Sequence, residues 1–418
     1  MPKIKEIIAR EILDSRGNPT IETKIILDNG IFGKASVPSG ASTGKYEALE
    51  LRDRDPKRFE GLGVLRAIEN VNKKINSALA GFEIADQIKI DKALVDLDGS
   101  EDKRNLGANA ILSVSLAAAR TAAIDKKQEL FQYLAEVYDF NNFSLPTPCF
   151  NIFNGGKHAD TNLDFQEFMV IPLKKTSFRE KVRLGAEIFH SLAKVLKKGG
   201  FDTDIGNEGG YAPDIVSSVQ AIEFIISAAI NAGYKPKEDF GLGIDVGSSE
   251  LYDEEEKKYI FKLDHAFFTN TTLIGLYNEW LKEFPIVSLE DGLAEDDWEG
   301  WRELTKELGN KIMLIGDDLF TTNPKRLRLG LKEKVANTIL IKPNQVGTLS
   351  ETIDCIKLAQ KHNYRIMISH RSGETNDDFI ADLAVATGAD YIKAGSLSRG
   401  ERLAKYNRLM EIEDYLKK

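Results

Sequence analysis

The chain has 418 residues, of which 42% are hydrophobic and 29% charged, with a formal net charge of −9; that is an ordinary globular composition, too long for one small core. No apolar run approaches the roughly 18 residues of a membrane span, and the acidic balance disfavours nucleic acid or an anionic membrane as a bulk partner. The start, Met1-Pro2-Lys3-Ile4-Lys5-Glu6, lacks the apolar core and small-residue cleavage site of a secretory signal, so a cytoplasmic location is expected.

The first element expected is a hairpin. Ile21, Thr23, Ile25 and Leu27 alternate with Thr20, Glu22, Lys24 and Ile26, and Asp28-Asn29-Gly30 supplies a turn before Ile31 to Val37, a pattern of antiparallel strands. From about Val64 to Val137 the apolar spacing turns helical, with Ala-rich stretches. The breaker Leu145-Pro146-Thr147-Pro148 follows, and domains are expected at 1–138 (a small α+β capping unit with a three-stranded sheet) and 139–418. Beyond the break, Cys149 to Phe153 and Phe168 to Ile171 come close together before a helical stretch from Phe178 to Lys198. Thereafter short apolar runs at Gly241 to Val246, Ile286 to Leu289, Ile312 to Ile315, Thr338 to Ile341, Arg365 to Ile368 and Tyr391-Ile392 each precede an amphipathic segment. This is the rhythm of a βα barrel with an irregular ββαα start. Asp253-Glu254-Glu255-Glu256-Lys257-Lys258 reads as a solvated turn, and Cys149 and Cys355, far apart in apolar contexts, as buried thiols.

Chemistry is expected where charge interrupts apolar strands. Asp245, Glu290, Asp317, Lys342 and Lys393 each stand at the end of such a run, and His370-Arg371-Ser372 follows another. In a βα barrel these positions face one mouth. Any one acid reads equally as a helix cap or a lysine partner. Three acids and two lysines converging there cost electrostatic energy unless a cation and an anionic ligand join them. An all-carboxylate donor set suits a hard ion such as magnesium. Glu208 sits on the glycine-rich turn Asn207-Glu208-Gly209-Gly210, where backbone can approach a ligand closely. Val37 to Lys45 fails the phosphate-loop pattern, since Tyr46 follows the lysine, and reads as a lid.

Taken in order, Asp14 to Thr20, Val37 to Asp53, Asn154 to Ala159, Asn207 to Pro213, Gly316 to Leu319, Lys342 to Gln345, Ser369 to Thr375 and Ser398 to Asn407 closely resemble the enolase family over essentially the whole length. The Glu290-Asp291-Gly292 and Lys393-Ala394-Gly395-Ser396 variants look bacterial. The resemblance implies a lyase that dehydrates 2-phosphoglycerate to phosphoenolpyruvate with two magnesium ions per site. By the family pattern Asp245, Glu290 and Asp317 hold the first ion, and Ser42 in the lid reaches the second. Lys342 is the base, Glu208 the acid and Glu167 its neighbour. Gln166, His158, Arg371, Ser372 and Lys393 contact substrate, and His370 lines the pocket. It further implies a homo-oligomer, dimer or octamer, and, through the terminal lysines, plasminogen capture at the cell surface. Three positions depart from the pattern: Asn207 replaces an aspartate, Lys157 a serine, and Glu411 an arginine that in relatives pairs with a glutamate, Glu22 here, across the dimer.

Overall fold

The computed structural model describes residues 1–41 and 44–417. The expected hairpin is the outer part of a three-stranded antiparallel sheet, β1 (Ile4–Leu13), β2 (Pro19–Leu27) and β3 (Phe32–Ser36), in that order. Alternation buries Ile21, Ile25 and Leu27 and sets the register, with Ile25 opposite Ile7 on one side and Gly33 on the other. Helix Ala108–Lys126 crosses this sheet so closely that a Cβ on Gly33 would stand 2.8 Å from the Thr121 nitrogen. The run of small side chains along that helix is what permits the approach.

The second unit is a closed eight-stranded barrel. Its strands are β4 (Thr147–Asn154), β5 (Glu167–Pro172), β6 (Phe240–Asp245), β10 (Ile286–Glu290), β11 (Met313–Gly316), β12 (Thr338–Ile341), β13 (Arg365–Ser369) and β14 (Tyr391–Lys393). The irregular start is present: β5 runs antiparallel to both β4 and β6, while the remaining pairs are parallel. Two helices, Phe178–Lys198 and Ser218–Asn231, then separate β5 from β6. Inside, Cys149, Met169, Ile171, Met313, Ile315, Leu340 and Met367 form a core of their own, so the barrel is packed and not a pore. Both cysteines are buried and unpaired.

One element was not anticipated. Between β6 and β10 lies a small antiparallel sheet of β7 (Tyr252–Asp253), β8 (Lys258–Phe261) and β9 (Ala266–Phe268), with the exposed acidic run as the turn between its first two strands. No helix among the described residues is long and apolar enough to cross a membrane.

Candidate active site

The strand-end charges meet at one mouth. Asp245, Glu290 and Lys393 are the last residues of β6, β10 and β14, while Asp317, Lys342 and His370 directly follow β11, β12 and β13. The parallel registers Glu290 to Asp245 and Glu290 to Ile315 put these ends side by side. A cavity of about 20 Å³ is lined by His158, Gln166, Glu167, Glu208, Asp245, Asp317, Lys342, Ser369, His370, Arg371, Ser372 and Lys393. It is small because its charges have closed on one another. Lys393 Nζ donates to Asp245 Oδ2 and Glu290 Oε1, each at 2.9 Å, and lies 3.2 Å from Glu167 Oε1. Lys342 Nζ pairs with Asp317 Oδ2. Arg371 is held in a fork by Glu47, with Nη1 2.8 Å from Oε2 and Nη2 3.2 Å from Oε1.

These pairings set the protonation states. Burial pulls Lys342 downward and the Arg371 and Lys393 charges act the same way, but the surrounding carboxylates, Asp317 first and Glu290 after it, together outweigh them and the amine is raised. The same lysine, against burial, holds Asp317 below the ordinary carboxylate range. Glu290 is pushed well above it, first by burial and then by Asp245, and its Oε2 has no hydrogen-bond partner among the described residues. A buried carboxylate in that state calls for more positive charge than Lys393 alone provides.

A second group forms around Glu208. The turn that carries it needs its glycines: Gly209 has φ +88°, and a Cβ there would sit 2.6 Å from Ser398 Oγ. Asn151 Nδ2 donates to Glu208 Oε2 at 2.9 Å, His158 Nδ1 lies 3.5 Å from Oε1 and His370 Nε2 lies 3.4 Å from Oε2. Burial opposes ionisation of Glu208, yet the His158 charge and the hydrogen bond from the neutral His370 hold it well below the usual range. Glu167, 3.1 Å from His158 Nδ1, is pushed up to about 7 by burial and by the Glu208 charge. The two carboxyls titrate as a coupled pair, in which protonation is favoured on Glu167 over Glu208.

His370 is kept neutral, lowered to about 3 by burial, with the Arg402 charge acting the same way against Glu208. Arg402 Nη1 lies 2.5 Å from His370 Nδ1 and 2.6 Å from Arg371 O, and Nη2 reaches Asn207 O at 3.0 Å and Ser372 O at 2.5 Å. A guanidinium can only donate. His370 Nδ1 must therefore accept, which leaves the proton on Nε2, facing Glu208. Arg402→Met would leave three buried carbonyls without that donor, each worth about 1–3 kcal/mol. The expected result is a loss of at least about 3 kcal/mol in urea unfolding, with the His370 ring nitrogens changing their NMR shifts. An unchanged unfolding midpoint would refute this role.

The enolase N-terminal domain model matches residues 4–134, and the enolase C-terminal TIM barrel domain model matches residues 142–418. The chain belongs to the enolase family. Membership agrees with the barrel and the preceding sheet and carries the lyase class that the resemblance implied.

Within this enolase fold the expected site residues gather at the mouth, with one exception: Ser42 lies outside the described residues. Gln166 is tied to the site by its backbone N–H on Asp245 O at 3.0 Å. Ser372 Oγ accepts from Ala41 N at 2.8 Å, tying the Arg371-Ser372 pair to the Val37 to Lys45 segment. Among the described residues, the groups of three or more His, Cys, Asp or Glu whose ligand atoms lie within 4.8 Å of one another are His158, Glu167 and Glu208, and Asp291, Asp317 and Asp318. The expected set of Asp245, Glu290 and Asp317 is not drawn so close, since Lys393 and Lys342 stand against its oxygens. Sequence reasoning gave no role to Asn151, Glu47, Arg402, Asp291 or Gln345, whose Nε2 donates to Asp317 Oδ1 at 2.9 Å. Asp291 and Gln345 lie one and three residues beyond charges already singled out, so position alone could have found them. The departures find partners within the chain: Lys157 Nζ is 2.5 Å from Glu250 Oε1, Glu411 accepts from Arg408, and Glu22 from Arg10 and Lys34.

Proposed function

We propose that this chain catalyses the magnesium-dependent interconversion of 2-phosphoglycerate and phosphoenolpyruvate, with Lys342 as base and Glu208 as acid. The observation that carries the reading is that the Lys342 amine, the Glu167 and Glu208 carboxyls, the forked Arg371 and the strand-end carboxylates Asp245 and Asp317 all border one cavity, with Glu290 joined to it through Lys393. Lys342 Nζ takes the proton from the carbon beside the substrate carboxylate. For that it must be neutral. When Asp317 turns its charge to another cation, Lys342 is left facing Arg371 and Lys393, both of which lower it. Proton removal places a second negative charge on the substrate carboxylate, where Lys393 contributes its ammonium. Glu208 delivers a proton to the departing hydroxyl, drawing on the proton of the coupled pair it forms with Glu167. The negative charge of the substrate raises Glu208 and moves that proton toward it. Arg371 and Ser372 hold the phosphoryl group, which takes the place Glu47 occupies on the guanidinium.

The oxygen donors of Asp245, Glu290 and Asp317 and the unsatisfied Glu290 Oε2 fit a hard divalent ion. Magnesium bound there supplies fixed positive charge at the carboxylate where negative charge develops. A second ion at Ser42 belongs to the same reading, as do a homo-oligomer, a bacterial-type affiliation, a cytoplasmic location with partial display at the surface, and a domain division at 138/139. Following the ultraviolet absorbance of the enol product, a magnesium-dependent rise that chelator abolishes is expected. Absence of turnover in saturating magnesium would overturn the assignment. Plasminogen capture rests on the terminal lysines, of which Lys417 is exposed; removing Lys417 and Lys418 should abolish it with turnover untouched, and retained capture would dismiss it.

A further inference from the structure

The barrel has a second cavity at its other end, independent of the reading above. It holds about 360 Å³ and is bordered by residues that open the parallel strands, Thr147, Met313, Arg365 and Tyr391 of β4, β11, β13 and β14, and by Pro172, which closes the antiparallel β5. The packed interior of Cys149, Met169, Leu340 and Met367 stands between this cavity and the mouth that carries the strand-end acids.

Its charge is one-sided. Lys174, Lys175, Lys181, Lys311 and Arg365 border it, and no aspartate or glutamate does. Lys174 is neutralised by Asp239, 2.5 Å away. Among the described residues the other four have no ion pair. Lys311 Nζ reaches only the Asn278 amide oxygen at 3.2 Å, and Lys181 Nζ only the Thr147 hydroxyl at 3.0 Å. Of the nearby acids, Glu413 accepts from Phe178 N and Arg179 N at the start of helix Phe178–Lys198, pairs with Lys417 at 3.5 Å and acts on Lys181 only through its charge, while Asp390 accepts from Ile366 N. Lys181 is half-buried, and burial lowers its amine. Four cations, Lys175, Lys181, Lys311 and Arg365, thus border one recess that has no acid among its lining residues. Like charges gathered in a recess repel unless an anion joins them.

The recess also offers apolar surface. Val287 and Tyr391 are partly buried against the barrel interior and border the cavity together with the cations. A volume of about 360 Å³ lies at the small end of the range for organic ligands. We propose that this cavity binds a phosphate ester of mononucleotide size, with its phosphoryl oxygens among Lys181, Lys311 and Arg365 and its flat apolar part on Val287 and Tyr391. An ammonium or guanidinium in such a site acts on the phosphoryl group through charge-assisted hydrogen bonds.

The test is calorimetric titration of the full-length protein with adenosine 5′-monophosphate, with and without excess 2-phosphoglycerate and magnesium. One saturable equivalent is expected, undisturbed by 2-phosphoglycerate. In the exposed pair Lys311→Met/Arg365→Met, affinity should fall by roughly tenfold or more with parental turnover, which also certifies the fold. If the double variant loses turnover, Arg365→Met alone carries the same comparison. No saturable binding, affinity unchanged in the variant, or displacement by 2-phosphoglycerate would each overturn the proposal.

Discussion

Lys342→Ala is expected to lower turnover by at least about 10²-fold to 10⁴-fold, the range for losing a general base, and to stop solvent exchange of the hydrogen beside the substrate carboxylate. The surroundings of Lys342 are built to hold it. Its backbone N–H donates to Thr322 Oγ1 at 2.9 Å, and that hydroxyl donates to Gln345 Oε1 at 2.7 Å. Thr321 and Thr322 are buried with φ of 47° and 52°, a left-handed backbone that β-branched residues resist and that marks functional strain. Lys342→Arg separates charge from basicity, because a guanidinium keeps the positive charge but does not give up its proton. If Lys342 served only as a cation, arginine would rescue it; as the base, it should be as inactive as the alanine variant. Turnover of Lys342→Ala within tenfold of the parent would remove the assignment.

The strand-end charges were legible because a barrel converts one-dimensional position into three-dimensional convergence. An aspartate closing Gly-Leu-Gly-Ile or a lysine closing Ile-Leu-Ile has only one mouth to face. The antiparallel β5 was legible as an irregularity, since two apolar runs came too close together to hold a crossover helix. Other features carry no such mark. Asn151 lies inside β4, flanked by Phe150 and Ile152, and its aim at Glu208 depends on the register of the first two strands, which shifts between Asn151 and Phe153. Arg402 sits in helix Gly400–Leu416 and looks like any surface arginine of an amphipathic helix. The strands β7 and β9 are two and three residues long, too short for alternation to show. Protonation was the least legible property of all. The Arg371 and Lys393 charges lower Lys342, but the Asp317 contact that opposes them is a matter of rotamer and not of sequence.

Glu208→Gln should reduce turnover by about 10²-fold to 10⁴-fold while solvent exchange of the substrate hydrogen continues. The two halves of the reaction use different groups: Lys342 pairs with Asp317, whereas Glu208 stands among Asn151, His158 and His370. Replacing the carboxyl by an amide of the same shape leaves the base and its partners in place, so proton removal and return still occur. What fails is departure of the hydroxyl, because an amide has no acidic proton to give. His370 cannot substitute, since burial and Arg402 hold it neutral with its proton on Nε2 and its pKa near 3. Burial, and after it the Glu208 charge, raise Glu167 in the parent and favour its protonated form. In the amide variant that charge is gone and Glu167 should fall toward the ordinary carboxylate range, making it a poorer donor as well. Exchange in deuterium oxide, read by proton NMR on 2-phosphoglycerate, separates the alternatives. If exchange and turnover fall together, Glu208 also serves proton removal and the division of labour is wrong. If turnover persists near the parental rate, another group is the acid.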